Sequence, residues 1–239
     1  MSAPGQWLLA VEGFGYEKPV DAFWVHVTMP RTGNLKNHGT YFWISAEWRN
    51  HFAQIGVIEY WVAGEGEAKF GGWKGFSATT FDISDPANRM TVKVHNFPDE
   101  PLNYCDGATF RIGKDDDHWS MSFIPDNRQF LRENVRVVPI QADHIDRMSL
   151  VLESFDQMGS GSWNISQYFS QIPIARMIGG RGAEEWPHAR VAYEGNKRPP
   201  EYLGLYVGRH WYSDTGMGGP SFIQMGHVGE QPHPTEGLW

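Results

Sequence analysis

The chain has 239 residues, 41% of them hydrophobic, enough for one large core or two small ones, and a formal charge of −8. With no lysine- or arginine-rich patch to offset it, that charge argues against nucleic acid or an anionic membrane as partner. A single cysteine, Cys105, rules out an internal disulfide and fits a reducing compartment.

Plentiful glycine and proline, with 14% aromatic residues, point to many short strands joined by turns, the composition of a sandwich or barrel. The leading stretch MSAPGQWLLAVEG has no basic leader before a long apolar run, so no secretory signal is expected. A mature secreted form would read the same way, which leaves the compartment open. No apolar run approaches the length of a membrane span.

Residues 6–12 read as the first strand, ended by Gly13 and Gly15. Over 22–29 the alternation is clear. Phe23, Val25, Val27 and Met29 share one face, and Trp24, His26 and Thr28 share the other. Residues 30–39 are rich in turn formers and read as a loop. The strand 40–45 sets Phe42 and Ile44 against Tyr41, Trp43 and Ser45, and a short connection over 46–51 follows.

The longest uninterrupted β-favouring run is 52–62. One face carries Ala53, Ile55, Val57, Glu59 and Trp61. The other carries Phe52, Gln54, Gly56, Ile58 and Tyr60. The glycines at 64, 66, 71, 72 and 75 predict tight turns and a flap around Trp73. Strands are expected over 89–95, 108–112 and 118–124, with Asp115, Asp116 and Asp117 in a solvated turn rather than a calcium site.

Asp126 as N-cap and the helix formers after it allow one short helix over 126–134. Further strands are expected over 135–140 and 148–155, two more within 163–178, and others near 190–193, 202–207 and 221–225. No composition break marks a second domain. The expectation is one domain over 1–239, with 226–239 a tail lying over the body.

Each strand thus has an aliphatic side and a side bearing aromatic or polar residues. In a two-sheet sandwich the aliphatic sides meet between the sheets. If one sheet bends, its outer face becomes a groove lined by Trp24, Tyr41, Trp43, Gln54, Tyr60 and Glu153. An amide beside a carboxylate is a workable hydrolytic pair. The carboxylate takes a proton from water, and the amide stabilises the oxyanion that forms.

The strings around Phe42-Trp-Ile-Ser45 and Phe52-Ala-Gln-Ile-Gly-Val57, with Ser149-Leu-Val-Leu-Glu-Ser-Phe-Asp156, resemble patterns of the eqolisins, the glutamic peptidases. The resemblance implies an all-β, concanavalin-like sandwich (jelly roll) of two bent antiparallel sheets with long loops. It also implies Gln54 and Glu153 as catalytic dyad, Trp43 in the cleft and a peptide substrate.

A rival reading takes Glu59 and Glu153, whose surroundings resemble the two glutamate motifs of jelly-roll xylanases, as nucleophile and acid/base. Trp24, Tyr41, Trp43 and Tyr60 would then stack sugars. Parity opposes it, because Gln54 and Glu59 are an odd number of residues apart and a regular strand sends them to opposite faces. A third reading is a glycan-binding sandwich without catalysis. None of the ten histidines shows a metal-ligand spacing, and the glycine clusters at 179–182 and 216–219 lack the context of a phosphate cradle. No metal and no cofactor are therefore expected. The oligomeric state is open.

Overall fold

The computed structural model describes residues 5–14, 18–29, 38–49, 51–62, 69–80, 91–94, 101–103, 106–126, 133–137, 142–156, 168–171, 174–178, 182–185, 188–195, 205–211 and 221–227. Within them the regular structure is all strand. In chain order the strands are β1 (Gly5–Phe14), β2 (Val20–Thr28), β3 (His38–Trp48), β4 (His51–Val62), β5 (Lys69–Thr80) and β6 (Thr91–Val94). Next come β7 (Gly107–Asp115), β8 (His118–Pro125), β9 (Glu133–Val137) and β10 (Arg147–Asp156). The last are β11 (Tyr168–Gln171), β12 (Ile174–Met177), β13 (Ala183–Glu185), β14 (His188–Gly195), β15 (Leu205–Trp211) and β16 (Ser221–His227).

They form two antiparallel sheets. The first runs β14-β1-β10-β3-β4-β5-β6. The second runs β15-β16-β11-β2-β7-β8-β9, with β12 paired to β2 beside β11 and β13 paired to β12. The fold is a concanavalin-like sandwich of bent sheets, as expected.

Alternation explains the core. Phe42, Ile44 and Ala46 of β3, Ala53, Ile55 and Val57 of β4, and Leu150 of β10 are fully buried in one cluster with Phe23, Val25 and Val27 of β2. Phe110 and Ile112 of β7 and Met121 and Phe123 of β8 complete the facing layer. Phe110 links the layers, its ring 6.4 Å from Phe42 and stacked 5.4 Å from Phe123. Trp48 and Trp119 meet edge to face at 4.7 Å near one end.

Three expectations need correcting. Around Trp73 the chain forms a strand in place of the expected turns and flap, because Gly71, Gly72 and Gly75 lie inside β5 and Trp73 is fully buried, while Gly64 and Gly66 lie outside the described residues. Trp73 exchanges two 2.8 Å main-chain hydrogen bonds with Leu102. Gly72 has a φ of 111°, next to a register shift between Tyr60 and Trp61, and a Cβ there would come within 2.7 Å of the Leu102 carbonyl oxygen. Glycine serves close approach in this strand.

The expected connection over 46–51 shrinks to two residues between β3 and β4, with Arg49 at a φ of 49° and its N–H donating to Asp146 at 2.6 Å. A two-residue hairpin favours this left-handed conformation. The expected helix over 126–134 does not extend to its last two residues, since Glu133 and Asn134 open β9 and pair with Phe123 and Ser122. Residues 127–132, and the tail beyond 227, lie outside the described residues.

Candidate active site

The outer face of the first sheet is set by register, because residues opposite one another in an antiparallel ladder share a face. In β10, β3 and β4 the ladder gives four successive rows. The first joins Arg147, Glu47 and Phe52. The second joins Ser149, Ser45 and Gln54. The third joins Val151, Trp43 and Gly56, and the fourth joins Glu153, Tyr41 and Ile58.

Chemistry varies from row to row. In the first, Arg147 and Glu47 form an ion pair at 3.6 Å. The second is neutral and polar. In the third, Trp43 and Val151 pack with Phe76 of β5, which pairs with Gly56, in a buried cluster separate from the main core. Tyr41, Phe52 and Ile58 pack around it.

Two ring pairs span this face. Trp43 and Phe52 meet edge to face with centroids 6.1 Å apart, and Tyr41 and Phe76 do so at 5.5 Å. Trp43 and Phe52 occupy diagonal positions on either side of the Ser45–Gln54 pair. At about 3.4 Å per residue and about 4.8 Å between strands their Cα atoms stand about 14 Å apart. Rings that close lean toward each other over Ser45 and Gln54, which accounts for the burial of those polar groups.

Gly56 leaves the middle of the face without a side chain. A Cβ there would lie 2.6 Å from the Cα and Cβ of Trp43. Gly56→Ala is therefore expected to destabilise the fold by about 1–3 kcal/mol through overpacking. Thermal unfolding followed by circular dichroism checks this, and an unchanged midpoint would contradict it.

The predicted site residues separate as follows. Gln54 is nearly buried. Glu153 occupies a backbone position in the same set of rows, opposite Tyr41 and Leu8. It stands two strands across and four residues along from Gln54, so the two Cα atoms are about 17 Å apart on a flat ladder. The β10 residue level with Gln54 is Ser149. Tyr60 pairs with Gly72 at the point where the β4–β5 register shifts.

Trp24 does not belong to this face. It lies on β2 in the other sheet, opposite Arg111 and Ile174, and alternates with the core residues Phe23 and Val25. It therefore points away from the sandwich on the far side. Glu59 lies opposite Trp73 and shares the parity of Ala53, Ile55 and Val57, so it is on the inward side of β4 at its end. It does not share the Gln54 face.

A second polar cluster, missed in the sequence, sits at the end of the other sheet. Asp21, Lys114, Asp115, Asp116 and Arg176 line an open hollow of about 520 Å³. Arg111 clasps Asp115 with bonds of 2.9 and 2.6 Å, Arg176 holds Asp21 at 2.6 Å, and Lys114 holds Asp143 at 3.1 Å. The charges largely neutralise one another, which makes this a clasp between β2, β7 and β12. Asp116 and Asp117 form an exposed turn, as expected, with Asp116 at a φ of 55°. Among the described residues no group of three or more histidine, cysteine, aspartate or glutamate side chains is arranged to hold a metal.

Comparison with solved structures places this architecture. Scytalido-glutamic peptidase, solved with a peptide-based transition-state analogue and with a transition-state analogue inhibitor, matches with TM-scores of 0.53 and 0.55 at 8% identity. The match covers 94% of this chain and 98% of that one. In fold, this chain resembles the eqolisins. SCP-B, an eqolisin solved with the tripeptide Ala-Ile-His, matches at 0.51 with the same coverage and identity. No family model and no curated protein matches the sequence.

Proposed function

We propose that this chain is a hydrolase of the glutamic-peptidase type, acting on peptide bonds with Gln54 and Glu153. The observation that carries the reading is their shared parity in the β10–β3–β4 ladder, with Glu59 on the other parity. In this mechanism the Glu153 carboxylate removes a proton from water as it attacks the scissile carbonyl. The Gln54 amide donates to the oxygen on which negative charge develops. The ladder span between them is long, so the pair depends on the bend of the sheet to converge on one carbonyl.

Peptide is favoured over glycan by the state of the aromatic rings. A sugar platform needs an open, flat ring face. On this face Trp43 is buried and packed edge to face with Phe52, and Trp24 belongs to the opposite sheet.

Casein and xylan hydrolysis from acid to neutral pH, for the parent, Gln54→Ala, Glu59→Gln and Glu153→Gln, tests the proposal. Casein turnover is expected in the parent and in Glu59→Gln, and is expected to be lost in the other two. Xylan turnover abolished by Glu59→Gln would transfer the function to a glycosidase. No turnover of either substrate would end the hydrolase reading.

A further inference from the structure

Trp48 and His51 face each other across the two-residue turn between β3 and β4. They share the parity of Ala46, Ala53 and Ile55, so both side chains turn inward at the end of the sandwich, away from the face that carries Gln54. Among the described residues, the enclosed side-chain atoms left without a hydrogen-bond partner are Trp48 Nε1 and His51 Nδ1. A buried indole N–H usually finds an acceptor. Trp119 does: its Nε1–H donates to the Ala142 carbonyl at 3.0 Å, and its ring meets Trp48 edge to face at 4.7 Å. Trp48 is fully buried and has no such acceptor. We propose that one internal water molecule binds at this end of the core, accepting from Trp48 Nε1–H and donating to His51 Nδ1.

The chemistry of the two atoms selects water. An indole nitrogen only donates, and an imidazole nitrogen without a hydrogen only accepts. A direct bond between them would satisfy both, and none is made. Opposed residues have Cβ atoms about 4.5–5.5 Å apart, which brings both rings within reach of a single water. A water enclosed there must place its own hydrogens as well, and His51 Nδ1 is the unpartnered acceptor beside it. The bridge therefore fixes His51 as the tautomer with its hydrogen on Nε2. An anion would instead need both atoms to donate.

Residues 142–146 close this end of the sandwich. Besides the Trp119–Ala142 bond, Ile145 N–H donates to the Val20 carbonyl at 2.8 Å and Asp146 N–H to the Glu47 carbonyl at 2.9 Å. Arg49 N–H donates to the Asp146 carboxylate at 2.6 Å. The segment ties the two sheets together beside Trp48, which shields an internal water from bulk solvent.

The inference does not depend on the proposed hydrolase. A high-resolution crystal structure of the parent protein is expected to show one water oxygen about 2.7–3.2 Å from both Trp48 Nε1 and His51 Nδ1. Nitrogen–proton correlation NMR at about pH 8, where an ordinary imidazole is neutral, is expected to find the His51 hydrogen on Nε2. In Trp48→Phe, which keeps a ring and removes the donor, the water is expected to be lost. Should that variant fail to fold, the density and the tautomer of the parent still decide. A dry site, a direct bond between Trp48 and His51, or a His51 hydrogen on Nδ1 would each overturn the proposal. So would bromide bound between the two rings in crystals soaked in sodium bromide, or a water that stays in place in folded Trp48→Phe.

Discussion

Gln54→Ala is expected to lower kcat/KM on casein by about 10²–10³-fold, the loss found when one oxyanion donor is removed. Its stability should not fall with its activity. Gln54 is nearly buried but alternates with the core residues Ala53 and Ile55, so its side chain lies on the outer side of β4, away from the core between the sheets. A substitution outside the main core is expected to cost about 1 kcal/mol or less, which keeps the unfolding midpoint within about 4 °C of the parent. Glu153→Gln removes the proposed general base and is expected to cost about 10²–10⁴-fold. Steady-state kinetics beside thermal unfolding checks both. A Gln54→Ala protein that loses stability and keeps activity would make Gln54 a structural residue.

Phe110→Ala is expected to destabilise the fold by about 3–5 kcal/mol, the range for deleting a fully buried aromatic ring. Phe110 has no exposed surface. Its ring packs on Phe42 from the facing sheet and stacks on Phe123 of the adjacent strand, so its loss opens a cavity between the layers. In a domain of this size about 1 kcal/mol moves the midpoint by about 2–4 °C, which gives a drop of about 6–20 °C. Thr28→Ala, at an exposed position of β2, should stay within about 0.5 kcal/mol of the parent. Similar midpoints for the two variants would contradict the placement of the core between the sheets.

Period-two alternation was enough to find the core. Phe23, Val25 and Val27, or Ala53, Ile55 and Val57, separate from their neighbours on sight, and the structure buries them together. Alternation tells which side of a strand a residue takes and nothing about which sheet the strand joins. Trp24 and Trp43 therefore look equivalent in the sequence, yet β2 and β3 belong to different sheets. The glycines of β5 suggested turns because local conformational freedom is their usual signal. Their role is tertiary: Gly72 faces Leu102, and a Cβ at Gly75 would contact the Phe123 ring at 3.5 Å. At Glu133 and Asn134 pairing with β8 overrode helix propensity.

The candidate site was legible in part. Gln54 stands out in the sequence as an amide on a strand face shared with aromatics. Ser45 and Ser149 do not, because their alignment with Gln54 depends on the registers of two ladders, which no single strand reveals.

The most direct test of the central claim is the crystal structure of the parent protein with a peptide-based transition-state analogue. The account predicts the Gln54 amide and the Glu153 carboxylate within about 3.2 Å of the oxygens of the tetrahedral centre. An analogue bound to this face with the Glu153 carboxylate too far away to share a proton with it, or bound elsewhere on the molecule, would contradict the account.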